Sequence, residues 1–155
     1  MSDITIIINP IYFNRPPCAD IYFNNQLITT AEFNGTEIPV SVRFTSELKP
    51  SNTIKILRYN KELIDTKLVH GSIVADQILE IQNIIVDRIP FSALLHKGVF
   101  YPDYPELWAS QQRQAGVELP VSENYRTTLF HNGSWELNFD TPVHVWLFKN
   151  VNISI

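Results

Sequence analysis

Between positions 38 and 45 apolar and polar residues change places at every step, with Ile38, Val40, Val42 and Phe44 set against Pro39, Ser41, Arg43 and Thr45. Such a segment buries one face only as a β-strand, because successive strand residues point to opposite faces while a helix spreads them around its circumference. The same period, or a short β-branched run, recurs through most of the chain. No window of helical length carries an apolar stripe at i, i+3, i+4 and i+7. Sheets are therefore expected almost throughout.

Residues 4–8 form a β-branched run suited to a strand buried on both faces, and Asn9-Pro10 ends it. Residues 20–23 read as a second strand. Asn24-Asn25-Gln26 has the chemistry of a hairpin turn into residues 27–33, which Asn34-Gly35 closes. After the loop Lys49-Pro50-Ser51-Asn52, residues 53–59 are β-rich, Asn60-Lys61 can turn, residues 62–69 can pair back, and Gly71 ends that hairpin. Residues 75–89 are read as a strand bulged near Asn83, although their first half could also wind into a helix. Residues 92–97 suit one helical turn. Residues 105–115 suit a short helix with Glu106, Gln111, Gln112, Arg113 and Gln114 in water. Strands return at residues 125–130, at 135–139 after the turn His131-Asn132-Gly133-Ser134, and at 143–148. On the last of these, His144 would share a face with Trp146 and Phe148. About nine or ten strands with frequent turn signals match an antiparallel β-sandwich or jelly roll with at most one or two short helices. A single such domain over residues 1–155 is expected.

Composition narrows the function. Of the 155 residues 18% are charged, the net charge is −4, and acidic and basic residues are interleaved, so no basic tract exists to neutralise phosphates and nucleic acid is not an expected partner. The low charge suggests a surface partly covered by another protein. Nothing approaches the roughly 18 consecutive apolar residues of a membrane span. The start Met1-Ser2-Asp3-Ile4 lacks the charged head and long apolar core of a signal peptide, so synthesis in the cytosol is expected, and the acceptor-like triplets at Asn34, Asn132 and Asn152 carry no weight. Cys18 is the one cysteine and has no partner spacing for zinc.

The histidines, His70, His96, His131 and His144, stand in no metal-binding or nucleophile motif, so the chain is not expected to be an enzyme. A glycan hydrolase using a pair of its carboxylates is the catalytic alternative. The segment from Phe100 to Trp108, Phe-Tyr-Pro-Asp-Tyr-Pro-Glu-Leu-Trp, reads as a stiff aromatic loop. Tyr101, Tyr104 and Trp108, joined by Trp135 and Asn132 at the Asn-Gly turn, are the candidate binding residues. Their rings would stack on sugars or fill pockets on a protein partner, and the alternative is that they fold back to plug the sandwich. No cofactor is expected unless calcium binds. Asp76, Asp87 and Asp103, with Asp140 a fourth near a strand end, are the candidate ligands, set against the commoner role of Asp in capping turns.

The order Asp76-Gln77-Ile78-Leu79-Glu80-Ile81-Gln82-Asn83-Ile84-Ile85-Val86-Asp87-Arg88-Ile89, the Tyr-Pro loop, and His131-Asn132-Gly133-Ser134-Trp135-Glu136-Leu137-Asn138-Phe139 together resemble small structural proteins of tailed bacteriophages. They also resemble the calcium-dependent, xylan-binding type of carbohydrate-binding module. The likeness covers roughly the C-terminal half, and Asp87-Arg88 stands where the family-like turn would more comfortably read Asp-Gly. The resemblance implies a non-catalytic β-sandwich of a virion, in a fibre, a baseplate or a capsid decoration. Its partners would be other virion proteins, copies of itself, or host glycans. Carbohydrate binding in adhesion is the alternative it implies.

Overall fold

The computed structural model describes residues 1–34 and 38–151. Its strands, in chain order, are β1 (Ser2–Ile11), β2 (Cys18–Phe23), β3 (Gln26–Glu32), β4 (Val40–Ser46), β5 (Ser51–Tyr59), β6 (Thr66–Val69) and β7 (Ser72–Asp76). They continue with β8 (Ile78–Val86), β9 (Ile89–Pro90), β10 (Val99–Pro102), β11 (Glu123–Asn124), β12 (Thr128–Leu129) and β13 (Gly133–Asp140). Two α-helices, α1 (Glu106–Gln114) and α2 (Val143–Val151), and the 3₁₀ turns Leu63–Asp65 and Ser92–Lys97 complete the described chain.

The strands form two antiparallel layers. One sheet runs β12-β8-β1-β4, with β9 also on β8, and the other runs β11-β10-β13-β5-β2-β3. The core lies between them, where Ile4, Ile6 and Ile8 of β1 meet Ile21 and Phe23 of β2, Ile54 and Ile56 of β5, and Trp135, Leu137 and Phe139 of β13. Only alternate residues of each strand enter this core, so the chain is an all-β sandwich built on period two.

The alternation expected over residues 38–45 is observed from Val40 to Thr45, with the apolar positions turned inward on β4, while Ile38 precedes the strand and is exposed. Asn24 and Asn25 both have positive φ, 49° and 67°, and turn β2 into β3, because a tight hairpin needs two left-handed residues and Asn tolerates that region. The bulge near Asn83 is present: Ile7 pairs with Asn83 and Ile8 with Ile81, which leaves Gln82 as the extra residue. Residues 92–97 form the helical turn and residues 106–114 the short helix. Gly35 of the Asn34-Gly35 turn lies outside the described residues.

Five expectations are corrected. β1 is buried on one face only, since Thr5 and Ile7 keep contact with solvent. Asn9-Pro10 does not end it, because the strand runs on to Ile11 with Pro10 paired opposite Leu79. Residues 62–69 do not pair with residues 53–59. β5 already has β13 on one edge and β2 on the other, so β6 turns at His70-Gly71 and pairs with β7 as a separate two-stranded hairpin. Residues 125–130 likewise fail to form a hairpin with residues 135–139, because β12 joins β8 in one sheet while β13 is held between β10 and β5 in the other. Residues 143–148 are helical rather than extended. With both edges of β13 occupied, the chain that follows cannot fold back onto it as a strand, and the same residues satisfy an i, i+3, i+4 pattern through Val143, Trp146 and Leu147. Trp146 closes one end of the sandwich, its ring centroid 5.1 Å from that of Phe91 and 6.0 Å from that of Phe139. His144 stands in solvent on this helix, not on a face shared with Trp146.

Candidate functional site

The opposite end of the sandwich is open. There β5 ends at Tyr59, β13 begins at Gly133 opposite Arg58, β10 ends at Pro102 opposite Gly133, and β8 begins at Ile78. Lys61, the β6–β7 hairpin, the segment before α1, and the loops around β12 therefore converge on a cleft of about 590 Å³. Its walls are mainly apolar. Leu63, Leu68 and Ile73 come from the hairpin side, and Phe100, Trp108 and Phe130 from the other. A second groove of about 570 Å³ lies between the free edges of β3 and β4. It is more open and gathers no comparable group of rings, so the first cleft is the better candidate site.

Trp108 and His131 form one wall of the cleft, and the Tyr104 ring packs against both. The Tyr104 centroid is 5.0 Å from that of His131 at an interplanar angle of 74°, Trp108 is 5.5 Å from His131, and Tyr104 is 5.9 Å from Trp108. These separations are those of mutually supporting aromatic contacts. The segment Asp103-Tyr104-Pro105 positions them, with Tyr104 Oη donating to the carbonyl of Pro120 at 2.8 Å and α1 carrying Trp108 one turn further on. Burial and the nearby Lys61 charge push the His131 imidazole below its ordinary pKa, which keeps it neutral at neutral pH. Burial, with Glu123 nearby, raises the pKa of the Tyr104 phenol, so Tyr104 stays a protonated donor.

Asn132 ties this wall to the floor. Its side-chain oxygen accepts from the Lys61 amide at 2.9 Å, its nitrogen donates to the Lys61 carbonyl at 3.0 Å, and its own carbonyl accepts from the Asp103 amide at 2.7 Å. Gly133 follows at φ 142°, where an added Cβ would lie 2.2 Å from the carbonyl oxygen of Tyr101, so β10 approaches β13 only because glycine is there. Charged groups at the cleft come in pairs: Lys61 with Asp76 at 2.7 Å, and Arg126 with Glu123 at 2.6 Å. Beneath them lies the fully buried Arg58, which donates to the Gln77 carbonyl at 2.7 Å, to the Gln77 side chain at 2.8 Å, and to the Leu129 carbonyl. Burial lowers its pKa to about 10, with Asp76 and Asp65 pulling the other way, and it remains a cation.

The base of the hairpin is anchored separately. The Asp65 side chain is fully buried and accepts from Arg15 Nη2 at 2.5 Å, Arg15 Nε at 3.1 Å, Asn14 Nδ2 at 2.9 Å and the Glu62 amide at 2.8 Å. Burial pushes its pKa up, and these donors outweigh that effect and hold it at about 2.

Of the residues singled out in the sequence, Trp108, Asn132 and Asp76 line the cleft and Tyr104 braces it. Tyr101 is exposed on β10, outside the lining. Trp135 is corrected to a core residue. It is fully buried, its Nε1 donates to the Arg126 carbonyl at 2.8 Å, and its ring occupies the space where a Cβ on Gly98 would stand, so no ligand can stack on it. Asp76 and Asp87 cannot share an ion, because they flank the two ends of the nine-residue strand β8, a span of roughly 30 Å. Asp87 accepts from the Asp3 amide at 2.8 Å, and Asp140 accepts from Ser51 Oγ at 2.9 Å across the β5–β13 pair. Asp103 is joined to the site through its backbone. His131, Lys61 and the Arg126–Glu123 pair were not legible as site residues. Their only signal is proximity in sequence to the turns that bracket the open end.

No protein-family model matches the chain, and no curated protein matches it in sequence. Solved structures do match. The module vCBM60, described as one of two families of calcium-dependent carbohydrate-binding modules linked by circular permutation, superposes with a TM-score of 0.57 at 11% identity, over 88% of this chain and 89% of its own. The same module in complex with galactobiose gives a TM-score of 0.55 at 12% identity, over 86% of this chain and 95% of its own.

Calcium takes six to eight oxygen ligands. The carboxylates at the cleft do not offer such a set. Asp76 holds the Lys61 ammonium and the Thr66 hydroxyl, Glu123 holds Arg126, and Asp87 and Asp140 are elsewhere. Among the described residues no three of His, Cys, Asp or Glu come together as a metal site. The chain has the β-sandwich fold of these carbohydrate-binding modules, with a cleft whose charged side chains are matched to one another.

Proposed function

We propose that this protein is a non-catalytic carbohydrate-binding module that holds a neutral glycan in the cleft beside Trp108 and His131, rings that Tyr104 braces. The observation that carries the reading is the ring wall itself. Three aromatic groups stand within 6 Å of one another next to polar pairs, which is the chemistry a sugar requires: a flat π-face for its C–H surface and flanking groups for its hydroxyls. Neutrality follows from the pairing. Lys61 and Asp76 cancel, as do Arg126 and Glu123, and the remaining lining carboxylate, Glu62, is exposed 3.9 Å from Arg15, so an anionic sugar finds no unmatched cation among the lining residues. The shared fold of vCBM60 supports the same reading.

Catalysis is not proposed, because the three carboxylates that line the cleft each face a cation, Asp76 and Glu123 at hydrogen-bond distance and Glu62 at 3.9 Å from Arg15, which leaves no free acid and base pair among the described lining residues. A glycan array probed with the folded chain is the test. Binding to neutral oligosaccharides, without turnover, is expected, and a blank array from folded protein would remove the reading.

A second reading, assembly into a larger particle such as a virion, draws on the hairpin side of the cleft. Leu63, Ile64, Leu68, Val69, Ile73 and Val74 are all exposed there, more apolar surface than an isolated hairpin needs. Light scattering of the purified chain, with a search for it in purified particles, tests this second reading. A strict monomer absent from particles counts against it.

A further inference from the structure

Three carboxylates line the cleft, and each faces a cation supplied by the chain. Asp76 Oδ1 takes the Lys61 ammonium at 2.7 Å, Glu123 Oε2 takes Arg126 Nε at 2.6 Å, and Glu62 Oε2 stands 3.9 Å from Arg15 Nη2. Lys61 is the most enclosed of these cations. Its side chain is 10% exposed and that of Asp76 9%. Lys61 Nζ also donates to the Phe130 carbonyl, so the ammonium is held between a carboxylate and a backbone carbonyl, the two oxygen types that a calcium ion draws from proteins. Thr66 Oγ1 donates to the same Asp76 oxygen at 2.6 Å. Asn132 bonds both backbone groups of Lys61 and so fixes the root of the side chain. A divalent ion entering here would have to expel a cation that is tethered to the chain and already hydrogen-bonded to the oxygens it needs.

We infer that Lys61 is the resident cation of this cleft and that ligand binding there is independent of calcium, in contrast to the calcium-dependent modules that share the fold. The ligand half rests on the carbohydrate reading above, while the ion half can be tested with calcium alone. Thermal melts of the full chain in calcium chloride and in EDTA provide that test. Calcium at about a hundredfold its dissociation constant would raise Tm by roughly 5–10 °C in a domain of this size. Coincident melts, and no heat on titrating calcium chloride into the protein, are expected. A calcium-dependent rise of that size overturns the inference.

Lys61→Met keeps the apolar stem and removes the ammonium, leaving Asp76 enclosed without its partner. Its melt should fall below wild type in both buffers, and an unchanged melt would show that the ammonium is not held at the site. For a glycan found on the array, affinity in EDTA and in calcium should agree within about twofold, and a tenfold loss in EDTA refutes the claim. If no glycan binds in either buffer the carbohydrate reading fails, while the calcium-only melts still decide the ion question.

Discussion

Replacing Trp108 by alanine separates the ring wall's role in binding from its role in packing. Trp108 is half-buried, its centroid 5.5 Å from that of His131 and 5.9 Å from that of Tyr104, so one part of the indole is held by those rings while the rest faces the cleft. Loss of an aromatic anchor of this kind removes about 1–3 kcal/mol of binding. That is roughly a 5- to 150-fold rise in Kd, at a factor of ten for each 1.4 kcal/mol. The stability loss should stay below the ~3–5 kcal/mol of a fully buried tryptophan, because part of the indole is already in water. The chain should thus remain folded and the comparison remain valid. Isothermal titration of the strongest array ligand into wild type, Trp108→Ala and Leu107→Ala provides the assay. Leu107 is the neighbouring residue on α1 and is 72% exposed away from the cleft lining, so its variant should bind as wild type does. Equal affinity of Trp108→Ala and wild type, with matching melts, would refute the assignment of the ring wall as the binding surface.

Three further outcomes follow from the same geometry. The Asp65 pKa is depressed in the folded state, so its contribution to stability is complete above pH ~4 and is lost as pH falls from there through about 2; Asp65→Ala should lower stability by about 2–4 kcal/mol near neutrality and flatten that acid limb in pH-dependent denaturation. Gly133→Ala should lose about 2–4 kcal/mol in urea melts, since φ 142° suits glycine and the new Cβ would meet the Tyr101 carbonyl; a neutral result would contradict the tight β10–β13 approach. Trp146→Ala should lower stability by about 3–5 kcal/mol by opening the end that Trp146 closes over Phe91 and Phe139, yet leave ligand affinity unchanged because the cleft lies at the other end.

Much of the sandwich was legible because its strands obey a local rule. The alternation at Val40, Val42 and Phe44, the Asn24-Asn25 turn and the bulge beside Asn83 depend on neighbours in sequence, and all three appear where the residues place them. Pairing was not legible in the same way, because it depends on which edges are already taken. Residues 62–69 and 143–148 have strand-like composition, but β5 and β13 have no free edge to receive them, and one becomes half of a separate hairpin while the other winds into α2.

The site was legible in half. Tyr104 and Trp108 announce themselves as rings outside any convincing strand, whereas Trp135 has the same residue type two positions beyond Gly133 and belongs to the core, because its strand register turns it inward. Arg58 shows the reverse case. It falls in phase with Asn52, Ile54 and Ile56 on the buried face of β5, a cation at a core position that the alternation alone would have marked. Lys61 carried no such mark, since its partners Asp76 and Phe130 lie 15 and 69 residues away in sequence and meet it only at the open end of the sandwich.

The most direct measurement is an amide and indole ¹H–¹⁵N titration of the folded chain with the strongest neutral glycan from the array. Binding in the proposed cleft predicts saturable shifts concentrated on the Trp108 indole, His131, Asn132 and Lys61, with the Trp135 and Trp146 indoles little changed. Saturable shifts confined to the groove between β3 and β4, or to α2, would place the binding surface elsewhere and contradict it.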